Sequence, residues 1–335
     1  MTSRERIKTI LSGEAADRCG FWLGNPHHDM WPILHEYFGT TTEEELRLLL
    51  QDDFRWITPI DCYKHPDGHP MFDMKRRGVS LSAEGAFADC ETPEEVDEYE
   101  WPNPDYLDFT ATIERLDQTG DFYRAASFWS PFFHMVADFF GMENYFLKMY
   151  THPDVVHAVT GRLVDFYVEA NRRVFEAVGE RGDAMFFGND FGSQLDILVS
   201  PDSFREFIFP YFKKLTDIGH AHGKQVILHS CGSIYKVIPD LIALGVDGLH
   251  PLQAKATNMD AARLASEFKG KVAFIGAVDT QELLIHATPD EVADEVRRLK
   301  VLLGPGFIVS PSHEALLPGM KPENIEAMAR TAVEG

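Results

Sequence analysis

From residue 121 onward the chain alternates between short apolar runs and longer helix-like stretches. The apolar runs fall at residues 123–129, 184–188, 225–229, 248–250, 271–276 and 307–309. Runs of this length, with little polar interruption, suit strands buried on both faces. Helix-like segments separate them at 155–176, 203–222, 234–243, 259–268, 289–303 and 322–333. Alternating strand and helix predicts a parallel sheet with right-handed crossovers. An apolar run at 19–23 brings the total to at least seven units, so a closed (β/α)8 barrel of the TIM type is expected. No Gly-x-Gly-x-x-Gly turn follows any strand, which speaks against an open dinucleotide-binding sheet.

The first 120 residues have a looser grammar. Residues 2–11 read as a short capped helix. The strand at 19–23 runs into a polar cluster of Asn25, His27, His28 and Asp29. Thr40-Thr41-Thr42 before Glu43-Glu44-Glu45 is a helix start, with hydroxyls ahead of acids. Residues 67–89 alternate and are punctuated by glycine, which predicts a β-hairpin insertion. Residues 91–104 are acidic and carry Pro93, Pro102 and Pro104, so they read as an irregular surface connection. No repeat or low-complexity tract divides the chain. The expectation is one barrel domain over 1–335, with the first strand and an irregular insertion in 1–120 and regular units in 121–335.

Composition narrows the partners. With 44% hydrophobic residues and 25 Phe, the 335-residue chain can bury one extended core. Its formal charge of −22, from 53 acidic and 31 basic residues, leaves no cationic surplus to displace counterions from nucleic acid. No stretch of about 18 apolar residues is present to span a membrane. The first residues lack the apolar core of a secretory signal, and the cysteines, Cys19, Cys62, Cys90 and Cys231, are too scattered for a disulfide framework. A reducing cytoplasm is the expected location.

The polar residues that close the apolar runs carry the functional argument. They are Asn189 and Asp190, His229 and Cys231, His250 and Gln253, Asp279, and His313. In a barrel all of these ends open onto one face, where active sites are built. In extended backbone residues i and i+2 face the same way, so His229 and Cys231 can address one ligand together. Imidazole with thiolate suits Zn²⁺, and a catalytic zinc takes three protein ligands and an open position; His313 is the third candidate. A plainer reading stands beside it, because H-x-C is short and a buried cysteine usually packs as a small apolar residue. Asp190 is a candidate proton acceptor or, alternatively, a loop-fixing cap. Asn25, His27, Asn189 and His250 are candidate substrate contacts, while His250 also reads as a satisfied core histidine. Asp279 reads chiefly as a helix cap, and His220 and His222 as helix-end residues complementing the dipole. The aromatic run 128–133 is core, with part of it available to wall a flat apolar substrate.

Five stretches read in order bear a resemblance to known proteins: PFFHMVADFFGMENYFLKMYTHPDVV, GNDFGSQLDILVSPDSFREFIFPYFKKL, HAHGKQVILHSCGSIYKVIPDLIALGVDGLHPLQ, VAFIGAVDTQELL and SPSHEALLPGMKPENIEAM. Together they resemble the uroporphyrinogen decarboxylase superfamily and, within it, the corrinoid-linked methyltransferase branch. The resemblance implies a TIM barrel. Decarboxylases of the superfamily carry an R-Q-A-G-R signature near the N-terminus that grips porphyrinogen carboxylates. Here the corresponding stretch, residues 20–29, holds no arginine and offers acids and histidines instead.

The methyltransferase branch uses an H-x-C pair and a cysteine from the last strand end to hold zinc. His229 and Cys231 match the pair, and the final position falls on His313. The resemblance therefore implies a zinc-dependent transfer of a methyl group between a small substrate and a corrinoid. No D-x-H-x-x-G cobalamin signature is present, so the corrinoid is expected on a partner protein. Replacing a thiolate by imidazole leaves the metal more electrophilic and favours an O-methylated substrate. Asp190 and His229 are the expected catalytic residues. Two other classes remain open: a zinc-free lyase or decarboxylase on the same barrel, and a non-catalytic barrel that binds a corrinoid or tetrapyrrole.

Overall fold

In the computed structural model, which describes residues 1–313 and 315–334, eight parallel strands circle one axis. They are β1 (Gly20–Phe21), β2 (Phe54–Trp56), β3 (Tyr123–Ala125), β4 (Ala184–Gly188), β5 (Gln225–His229), β6 (Gly248–Leu252), β7 (Ala273–Val278) and β8 (Phe307–Pro311). The hydrogen-bonded order is β1-β8-β7-β6-β5-β4-β3-β2. The seam between β1 and β2 is bridged by the N–H of Asp53, which donates to the carbonyl of Phe21 at 2.9 Å. Helices wrap the outside, so the fold is a TIM (β/α)8 barrel.

Alternation along each strand sorts the side chains into two layers. Trp22, Phe54, Tyr123, Phe186, Ile227, Ile275 and Ile308 point inward and pack as one interior cluster. Their neighbours Phe21, Phe187, Leu228, Phe274 and Val309 point outward into the larger core beneath the helices. Burying each such side chain contributes roughly 1.5–3 kcal/mol. The bottom of the barrel is stoppered by helix Ser3–Leu11, whose Ile7, Ile10 and Leu11 join the interior cluster. Thr2 starts that helix through a capping box with Glu5. Gly20 and Gly248 make room for it: an added Cβ would lie 2.6 Å from Ile7 and 2.8 Å from Leu11 respectively.

Several regular elements match their expected places, among them helices Glu43–Leu49, Pro289–Leu303 and Pro322–Val333. Strand β2 was not anticipated. It spans three residues and is anchored by charge, not by apolar alternation. Asp53 accepts the N–H of Phe21 and pairs with Arg6 and Arg18; Asp52 accepts the N–H of Leu23 and pairs with Arg47. The expected helix over 203–222 is split into Pro201–Phe207 and Phe209–Ala221, because Pro210 in the first turn of the second lacks the N–H to continue the first.

The β-hairpin expected over 67–89 is corrected. Those residues contain no strand. The segment doubles back through two main-chain bonds, from the N–H of Arg77 to Glu84 and from the N–H of Ala86 to Met74. It then docks on helix Phe132–Phe140, where Gly85 lies so close that a Cβ would sit 2.2 Å from the carbonyl of Asp138. Arg76 and Arg77 spend their charge on Asp138, Glu84 and Asp89. Docking and ion pairs replace a ladder that Gly68, Pro70 and Gly78 make unfavourable.

Candidate metal centre at the mouth of the barrel

The carboxyl ends of β4 and β5 lie side by side, with Gly188 opposite His229. Ile227 faces the interior, so His229 and Cys231, two and four residues on, rise from the same side of β5. Asp190 rises likewise above Phe186 on β4. Gly188 is needed between them: a Cβ there would meet the Trp129 ring at 1.9 Å. Its absence lets Trp129 pack beside His229, with ring centroids 5.1 Å apart.

The loops leaving the two strands are pressed together by glycine. Gly232 has φ +83°, and a Cβ on it would lie 2.5 Å from Gly192. That approach lets Asp190 Oδ1 accept the N–H of Cys231 at 2.8 Å. Ser230 accepts the N–H of Phe191, and Gln253 accepts that of Gly232. Donor atoms of Asp190, His229 and Cys231 consequently lie within 4.8 Å of one another. His229 Nε2 is 3.4 Å from both Cys231 Sγ and Asp190 Oδ1, and its Nδ1 is 3.0 Å from His250 Nδ1.

Electrostatics favour charge on Asp190. Burial opposes its ionisation, but the neighbouring His134 and His229 and the N–H of Cys231 outweigh it, holding the carboxyl well below the usual range. His134 was not anticipated. It comes from helix Phe132–Phe140, where its Nε2 accepts the N–H of Asp190 at 2.9 Å and lies 3.6 Å from Oδ2. Its signal in the sequence was weak, one histidine inside an aromatic run. His250 is buried between Trp22 and Phe186, and burial, with the charges of His229 and His313, pushes its protonation well down.

The other expected site residues have diverse places. His313, at the end of β8, is half-buried; its Nδ1 accepts the N–H of Ala315. Among the described residues it falls outside the group of Asp190, His229 and Cys231, whose donor atoms come within 4.8 Å of one another. Asn189 is fully buried, and both ends of its amide are engaged, with the N–H of Phe133 and the carbonyl of Ser130. It positions the helix that carries His134. Asn25 is exposed at a cavity of about 300 Å³ that it shares with Trp22, Arg47, Arg55 and Trp56. His27 donates its N–H to Leu316, tying the β1 loop to the loop after β8, and its ring lies against His28. Asp279 accepts the N–H groups of Gln281, Glu282 and Leu283, a capping role.

Comparison with known proteins gives three findings. The family model for uroporphyrinogen decarboxylase (URO-D) matches residues 90–334, a span containing β3 to β8 and the metal-binding candidates. Among solved structures, a methyltransferase from Methanosarcina mazei superposes with TM-score 0.68 at 16% identity, covering 99% of this chain and 98% of that one. A putative vitamin-B12 independent methionine synthase from Listeria monocytogenes gives TM-score 0.41 at 12% identity, covering 96% and 98%. No match was found among curated proteins.

Proposed function

The chain belongs to the uroporphyrinogen decarboxylase family, and from that premise we propose that it is a zinc-dependent methyltransferase. In this reading it moves a methyl group between a small O-methylated substrate and a corrinoid carried by a partner protein. The observation that carries the reading is the meeting of one imidazole, one thiol and one carboxylate within 4.8 Å at the barrel mouth.

These residues fit a zinc ion. Nitrogen, sulfur and oxygen donors are its ordinary ligands, and a carboxylate held ionised with a thiolate balances the ion's charge. His229, Cys231 and Asp190 would hold it, and His313 is the further imidazole that the resemblance adds. Bound there, zinc supplies Lewis acidity to an ether or hydroxyl oxygen, or keeps a substrate thiol ionised. A set with a single sulfur is harder than one with two, which favours oxygen over sulfur as the substrate atom.

The chain's own groups perform the remaining tasks. Asp190 fixes the backbone that carries Cys231. His134, whose Nε2 accepts the N–H of Asp190 beside its second carboxylate oxygen, holds that residue in place. Trp129 walls the site and keeps water from one face of His229. Decarboxylation of a polycarboxylate has less support. Of the three arginines lining the cavity at Asn25, Arg47 and Arg55 are already paired with Asp52 and Glu44, and Arg115 donates to the carbonyl of Thr58.

The test is a metal analysis of purified protein together with methyl transfer from a panel of methoxylated compounds to free cobalamin. About one zinc per chain and chelator-sensitive transfer are expected. Full turnover after chelation would remove the zinc reading.

A further inference from the structure

His250 offers no surface to solvent, being 1% exposed, yet its Nδ1 lies 3.0 Å from Nδ1 of His229. One of these two nitrogens donates and the other accepts. Which does which decides whether His229 Nε2 carries a lone pair or a proton when the imidazole is neutral. The surroundings of His250 settle the choice. Its own Nε2 is buried with no hydrogen-bond partner among the described residues. The ring is packed against Trp22, with centroids 4.8 Å apart, and edge-on to Phe186 at 5.3 Å. Aromatic faces carry negative charge density: they accept an N–H weakly and repel a nitrogen lone pair. In such a shelf the proton of His250 belongs on Nε2, which leaves Nδ1 as the acceptor.

We propose that His250 is a positioning residue for the metal centre: its Nδ1 accepts the Nδ1–H of His229 and so reserves Nε2 of His229, the atom facing Cys231 Sγ and Asp190 Oδ1, for the metal. The inference rests on the zinc reading for its purpose, though not for its geometry. Metal-binding histidines commonly donate their second nitrogen to a carboxylate, carbonyl or water. Here a second imidazole takes that place, and an aromatic shelf, not an anion, sets its tautomer. A neutral acceptor leaves His229 a less basic ligand than a carboxylate partner would.

Two measurements test this on the full chain. The first uses metal-free protein labelled with ¹⁵N-histidine, with His250 assigned through the His250→Gln variant. A protonated Nε2 and an unprotonated Nδ1 on His250 are expected; the reverse pattern overturns the proposal. The second is zinc affinity by chelator competition. His250→Phe keeps the apolar packing and removes the acceptor, and is expected to weaken zinc binding by about 10- to 100-fold. His250→Gln, whose amide oxygen can accept, is expected to recover most of the loss. Unchanged affinity in His250→Phe overturns the positioning role while leaving the zinc reading intact. The expected tautomer in a wild-type protein that binds no zinc upholds the hydrogen bond and removes the zinc reading instead.

Discussion

Asp190 accepts the main-chain N–H of Cys231 across 2.8 Å, so the group that adds an oxygen donor to the site also fixes the backbone bearing the sulfur. The two tasks separate in Asp190→Asn. The amide oxygen can still accept from Cys231 but brings no charge, so the fold should persist while zinc binding weakens by roughly tenfold or more. Chelator competition measures the second effect and circular dichroism the first.

The same residue makes a prediction about pH. A carboxyl depressed in the folded chain contributes stability above its unfolded value of about 4, and loses it as pH falls through the folded value. The gap in urea stability between wild type and Asp190→Asn, measured without metal, should be widest near neutral pH and narrow below about pH 4. A gap that stays constant from neutral to strongly acidic pH contradicts the assigned electrostatics.

Substitution at the other donors should grade their importance. Cys231→Ala and His229→Ala are each expected to purify without zinc and to lose methyl transfer by about 100-fold or more. His313→Ala should retain metal with an affinity lowered by roughly tenfold, because among the described residues the close group of donors is Asp190, His229 and Cys231. A zinc-free His313→Ala protein would transfer the role of third ligand from Asp190 to His313.

Gly188→Ala tests how the site is walled. The new methyl would lie 1.9 Å from the Trp129 ring, so Trp129 or β4 must shift. A destabilisation of about 1–3 kcal/mol is expected, with a change in tryptophan fluorescence. Wild-type stability and an unaltered spectrum would mean that the contact is soft.

The seam of the barrel makes a larger prediction. Asp53 is fully buried and paired with Arg6 at 2.7 Å and Arg18 at 2.8 Å. Asp53→Ala leaves Arg18 without a carboxylate, Arg6 with Asp17 alone, and the N–H of Phe21 without its acceptor. Urea denaturation should show a loss of about 3–5 kcal/mol.

Much of this architecture is legible in the sequence. Strands β4 to β8 are written as near-continuous apolar runs because helices cover one face and the barrel interior the other. That Asp190, His229 and Cys231 share one face followed from strand ends alone, although the third metal ligand expected from the sequence was His313 and Asp190 was read as a proton acceptor. β2 escaped because three residues held by Asp52 and Asp53 carry no periodic signal. The stretch 67–89 misled because glycine spacing marks a hairpin and a docked loop alike, and only the contact with helix Phe132–Phe140 distinguishes them. His134 was hidden for a related reason: what gives it meaning is a partner 56 residues away. The importance of Asn189 was legible but its role was not, since an amide at a strand end can face a ligand or brace a helix.

The stopper formed by Ile7, Ile10 and Leu11 closes the lower end of the barrel, so the mouth is the doorway to the candidate site. In the proposed reaction both participants must use that doorway, one small enough to enter and one too large to do more than cover it. Whatever docks over the opening imprisons what lies beneath, so the small molecule has to arrive first and leave last. Steady-state kinetics with both participants varied should therefore reveal a compulsory order of addition.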